Sequence, residues 1–76
     1  MWYQVSYRSF DRIGQRTFDK RVDFRTLSLA EQYFEYYINT KIDSGCNASV
    51  VLVKINPKSV RILRSATTIN GEWKEI

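Results

Sequence analysis

The sequence predicts an α+β domain in which one amphipathic helix packs on a mostly antiparallel sheet, in the order ββαβββ. Three observations carry this reading. Two early segments alternate apolar with polar residues. A later segment repeats its apolar residues at helical spacing. A β-branched run near residue 50 is then followed by two turn signals.

Trp2 to Phe10 places Tyr3, Val5 and Tyr7 on one side and Gln4, Ser6 and Arg8 on the other, the period of a strand with one buried face. "DRIG", Asp11 to Gly14, supplies a turn, because glycine accepts positive φ and aspartate can bond its own backbone. Arg16 to Arg25 alternates again, with Phe18, Val22 and Phe24 against Thr17, Asp19, Arg21 and Asp23, and completes a first hairpin.

"TLSLAEQ" opens a helix. Ser28 is the expected cap, with Glu31 three positions on reaching back to its amide, and Thr26 is a competing cap. Gly45, after Asp43 and Ser44, is the expected stop, giving a helix of roughly 15 residues and about 22 Å. In "QYFEYYIN" the crowd of rings resolves by geometry. Leu29, Ala30, Tyr33, Phe34 and Tyr37 fill one half of the helix, and Glu31, Gln32, Glu35, Asn39 and Asp43 fill the other. Tyr36 and Ile38 lie at the margins.

"ASVVLVKI", Ala48 to Ile55, is nearly continuous and β-branched, which predicts a central strand covered on both sides for part of its length. "NPKS" turns the chain, Val60 to Thr68 runs back, and Asn70-Gly71 closes a last hairpin with Glu72 to Ile76. At 76 residues the whole chain, 1–76, is one domain, near the size at which a single core only just suffices. One helix covers one face of such a sheet. The other face is the expected recognition surface unless a second copy closes it.

The chemistry is sparse. There is no histidine, and Cys46 is the only cysteine, so neither a disulfide nor a thiol–imidazole nucleophile can form within the chain. Glu31 and Glu35 are four apart but lie on the polar helix face, as an amphipathic pattern requires, and no phosphate-binding loop is present. The expectation is a protein that is not an enzyme and takes no cofactor and no metal. No apolar run has the length of a membrane span, and "MWYQVSYRSFDR" alternates where a signal peptide would be continuous, so a cytoplasmic location without membrane association is expected.

What remains is binding. The formal net charge is +4, with six basic against three acidic side chains in residues 1–27 and five against two in residues 44–76. Residues expected to face away from the core are Arg8, Arg21, Lys54, Arg61 and Lys74, with Trp2 and Trp73 as aromatic anchors. The candidate partner-binding set is Arg8, Arg12, Arg16 and Arg21 of the first hairpin, Arg61 and Arg64 of the later strand, and Tyr36 and Trp73 at the rim. Arginine leads the set because its planar fork pairs with carboxylate or phosphate at two points. Two readings compete: a protein-interaction module rich in the residues that carry interface energy, and a basic domain that contacts nucleic-acid phosphates through strand arginines and lysines. A homodimer through an edge strand or the open face is a further expectation.

The "TLSLAEQY" helix start, the "VVLVKI" strand and the terminal "INGEWKEI" hairpin resemble the build of small phage-encoded inhibitors, in particular anti-CRISPR proteins with one helix on an antiparallel sheet. Many of those are acidic and imitate DNA, whereas this chain is basic. The resemblance implies a non-catalytic protein, acting in the host cytoplasm, that docks on a nucleic-acid-handling defence complex and occludes or traps it.

Overall fold

The computed structural model describes residues 1–43 and 45–76. The elements are β1 (Trp2–Phe10), β2 (Arg16–Phe24), α1 (Leu27–Ile38), β3 (Asn47–Asn56), β4 (Ser59–Ile69) and β5 (Glu72–Glu75). The strands form one antiparallel sheet in the order β2-β1-β3-β4-β5, the small α+β architecture read from the sequence.

The order explains where the helix lies. β2 and β3 both pair with β1, one on each side, so the chain leaving the edge strand β2 must cross over β1 to enter β3. α1 makes that crossing and rests mainly on β1 and β3. Alternation then decides what meets it. Val5 and Tyr7 from β1, and Ala48, Val50 and Leu52 from β3, point to one side and bury with Ala30, Phe34 and Tyr37 of the helix and Ala66 of β4. Phe34, Leu52, Val5 and Val50 are the largest fully buried side chains, each contributing about 1.5–3 kcal/mol of transfer free energy. The Tyr7 and Tyr37 rings stack with centroids 4.1 Å apart and planes 11° from parallel, fixing the height of the helix over β1.

The helix differs from its expected bounds at both ends. Its cap is Thr26, not Ser28: Thr26 is extended (φ −120°, ψ 146°), and its hydroxyl accepts from the Leu29 amide at 3.3 Å. Phe24 is held in β2 opposite Tyr3, so the chain has only Arg25 and Thr26 in which to turn, and Ser28 is already helical. The C-terminal end comes at Ile38, not near Gly45. Asn39 donates its side-chain amide to the Glu35 carbonyl at 2.7 Å, and the Thr40 hydroxyl donates to the Tyr36 carbonyl at 3.0 Å, so side chains satisfy the last turn before a glycine is reached. Gly45 (φ +87°) instead shapes the loop into β3, and Ser44 lies outside the described residues. Twelve residues make the helix about 18 Å long.

The buried stripe is centred on Ala30, Phe34 and Tyr37. Leu29, about 100° from Ala30, is therefore more than half exposed, and Tyr33 is half-buried. Thr26→Ala is expected to cost about 1 kcal/mol in urea unfolding, whereas Ser28→Ala should be close to neutral. Tyr37→Ala should cost about 3 kcal/mol; Tyr36→Ala, at a side chain 68% exposed, should stay within about 0.5 kcal/mol.

Candidate interaction surface

The first hairpin holds four of the candidate arginines, and its tip is built on Asp11. One carboxylate oxygen of Asp11 accepts from the amides of Ile13 (3.1 Å) and Gln15 (2.9 Å), while its backbone carbonyl accepts from Gly14 at 3.0 Å. This turn sets Arg12 and Arg16 at the end of the molecule, both exposed. The Arg12 stem lies over Gly45: a Cβ there would sit 3.0 Å from Arg12 Cγ, so the glycine leaves room for the hairpin tip to rest on the loop before β3. Arg8 and Arg16 converge on Asp19, at 3.8 and 3.2 Å. Among the described residues Arg12, Arg21 and Arg61 have no carboxylate partner.

Two members of the candidate set are taken up by the fold. Arg64 lies on the helix side, its guanidinium 4.4 Å from the centre of the buried Phe34 ring, with Glu35 of α1 at 2.8 Å and Glu75 of β5 at 2.6 Å. The hydrogen bonds to Glu75 hold the guanidinium more firmly charged than usual, against some loss of hydration, and Glu35 adds to the effect. Arg64 in turn holds the Glu75 carboxyl below its ordinary 4.5. Trp73 is half-buried beside Tyr7 and donates its indole N–H to the Thr40 carbonyl at 2.8 Å. Both are structural fasteners rather than rim residues. The sequence reading also missed that Glu35, exposed as expected, ties the helix to β4.

Lys54 and Arg61, expected on the open face, sit on the helix side. Lys54 shares the parity of Val50 and Leu52, and the register of β4 shifts at Leu63, which reverses every residue before it. Without that shift Arg61 would share a face with Ser65 and Thr67. Arg8, Arg21 and Lys74 do face away from the helix, as expected, with Trp2.

Tyr36 remains exposed on the helix flank above β2. With Phe24, Leu29, Gln32 and Tyr33 it lines a shallow apolar groove of about 400 Å³. Behind it Tyr33 and Tyr37 share a hydroxyl–hydroxyl hydrogen bond of 3.2 Å. Burial first, and then this bond and the neighbouring rings, push the Tyr37 hydroxyl well above its ordinary value. Tyr7 is raised by burial, in part offset by a hydrogen bond with Ser9.

The uncovered face is ordered in rows. Asp19, Arg8, Ser49, Thr67 and Lys74 form one row across all five strands, followed by Arg21, Ser6, Val51 and Ser65, then Asp23, Gln4, Val53 and Ile62, and last Trp2, Ile55 and Val60. A further row at the hairpin end holds Arg16, Phe10 and Asn47, with the Ile69–Glu72 pair on its far side, so the face mixes charged and apolar groups there and is apolar at the other end, where Val60 and Ile62 are about two-thirds exposed. Between Ser6, Arg8, Ser49 and Val51 lies a depression of about 210 Å³. β3 is covered by the helix on one side only, so Val53 and Ile55 belong to this exposed surface and not to a doubly buried strand. Their signal in the sequence was the odd-numbered valines of "SVVLVKI", which alternation assigns to the side opposite Leu52.

Among the described residues no three carboxylate, cysteine or histidine side chains gather as metal ligands, and no helix is long and apolar enough to cross a membrane. No protein family, curated protein or solved structure was found to match the chain.

Arg64→Met is expected to cost about 1–2 kcal/mol at neutral pH, the pairs with the part-exposed carboxylates being discounted for solvent screening. The sign of the pH dependence follows from Glu75. Its folded pKa is depressed, so its contribution is complete above the ordinary 4.5 and is lost as pH falls through the lower folded value. The destabilisation by Arg64→Met, read by urea unfolding, should shrink over that acid range.

Proposed function

We propose that this is a non-catalytic interaction protein that presents the arginines of its first hairpin to an acidic protein surface. The observation that supports it most directly is the placement of the four arginines on one hairpin, Arg12 and Arg16 at its exposed tip end and Arg8 and Arg21 behind them on the uncovered face. Its tip is stiffened by Asp11, so little ordering entropy is lost when it docks. The resemblance in build to small phage-encoded inhibitors points the same way. On this reading the partner is a nucleic-acid-handling complex of the host cytoplasm, occluded rather than modified.

Direct binding of DNA or RNA is the second reading. The mixed charge of the hairpin favours protein. Arg8 and Arg16 share Asp19, and Asp23 accepts from Gln4 at 3.0 Å, so carboxylates stand among the cations that a phosphate chain would have to meet. A surface of interleaved charges fits another folded protein better than a uniform polyanion.

Capture of host proteins on the immobilised chain, with and without nuclease, tests this. Bound protein should survive nuclease and be lost in the Arg12→Glu/Arg16→Glu/Arg21→Glu variant. Titration of labelled DNA and RNA should give no saturable binding at low salt. Capture that disappears on nuclease treatment, together with an affinity falling by roughly 0.9 log units per contact for each log unit of salt, would transfer the assignment to nucleic acid.

A further inference from the structure

We propose that the uncovered sheet face is closed by a second copy of this chain, packed sheet on sheet about a two-fold axis that runs along β3. The inference concerns a different surface from the hairpin tip. Arg12, on the tip, remains free in the pair, whereas Arg8, Arg16 and Arg21 stand on the paired face, so pairing and docking through those three compete.

The apolar end of the face calls for cover. Trp2, Val53, Ile55, Val60 and Ile62 form a continuous patch, and a 76-residue chain has little core elsewhere with which to offset it. The rows identify the occupant. A two-fold axis along β3 reverses each row while keeping it level with itself, so β3 meets β3, β1 meets β4 and β2 meets β5. Ile55 then packs on its own copy, Trp2 on Val60, and Gln4 on Ile62, all at the apolar end. At the charged end, Asp19 meets Lys74 of the other copy, and Arg8 meets the Thr67 hydroxyl. Both ends are matched in one operation.

The alternative in-plane axis, across the strands, inverts each column. It would set Val60 and Ile62 against Thr67 and Ser65, and Trp2 against Arg8, leaving apolar groups on charge. The size of the face also suffices. Five strands at about 4.8 Å and seven residues at about 3.3 Å give a face of about 24 by 23 Å. The pair therefore buries about 1,000 Å² in all, the lower end of specific interfaces. Aligned sheets about 10 Å apart accommodate such side chains.

Light scattering and sedimentation equilibrium on the full chain, from micromolar to millimolar, test the proposal. The expected mass is twice the 9.0 kDa of the chain. Ile62→Glu should weaken the pair by more than about a hundredfold, since two carboxylates would be buried without partners. Because Ile62 is 66% exposed in the single chain, the variant should retain its far-UV circular dichroism; Val60→Lys provides a second, independent disruption. Lys74→Glu, which sets a carboxylate against Asp19 of the other copy, should weaken the pair by between about twofold and about twentyfold, and Lys74→Arg should preserve it. In a Trp73→Phe background, the emission of Trp2 should shift to the blue as the pair forms. A monomer throughout the concentration range overturns the proposal, as does a dimer indifferent to both Ile62→Glu and Val60→Lys. A dimer lost in those variants but indifferent to Lys74→Glu overturns the axis. Because pairing covers Arg8, Arg16 and Arg21, capture by the hairpin arginines is read separately, by the nuclease experiment repeated on the Ile62→Glu variant.

Discussion

Because β2 and β3 flank β1, the connection between them has to pass over β1, and the only segment available to do so is a helix of twelve residues. That crossing determines which surface is buried. The helix lays Ala30, Phe34 and Tyr37 on the inward side chains of β1 and β3, and the stack of Tyr37 on Tyr7 joins the two layers at their centre. One short helix on five strands leaves the second face of the sheet to water.

The residues that hold the helix in place are partly charged. Arg64 reaches from β4 to Glu35 on the helix and Glu75 on β5 while its guanidinium lies on Phe34. Trp73 performs a similar task at the far end, linking β5 to the segment after the helix through the Thr40 carbonyl. Long amphipathic side chains suit such positions. Their apolar stems or rings cover the margin of a small core while their polar ends find partners or water. A chain of this size has few apolar residues to spare, so it closes its core with arginine and tryptophan.

The two exposed regions differ in kind. The hairpin end is stiff, cationic and interspersed with carboxylates, which suits recognition by charge. The opposite end of the open face is apolar and bounded by short polar side chains, which suits close packing.

The fold class was legible in the sequence because periodicity is a local property. Period two in Trp2–Phe10 and Arg16–Phe24, period 3.6 in the ring-rich segment and the Asn70-Gly71 turn each specify an element without reference to the rest of the chain. Phe34 and Tyr37 could likewise be assigned to the core from their spacing alone, whereas Tyr33, expected with them, is half-buried and Tyr36 is exposed. What the sequence could not decide depends on contacts between elements. The helix began at Thr26 because pairing of Phe24 with Tyr3 left two residues for the turn, and it stopped at Ile38 because Asn39 and Thr40 satisfied its last carbonyls. Arg61 changed faces because an extra residue in β4 at Leu63 shifts its register with β3, and a bulge has no local signature that the alternation could carry. The sequence by itself therefore determined the elements, their order and the residues available to a core. Tertiary structure decided which arginines were spent on packing and which stayed free, since that depends on the side of the sheet each strand presents to the helix.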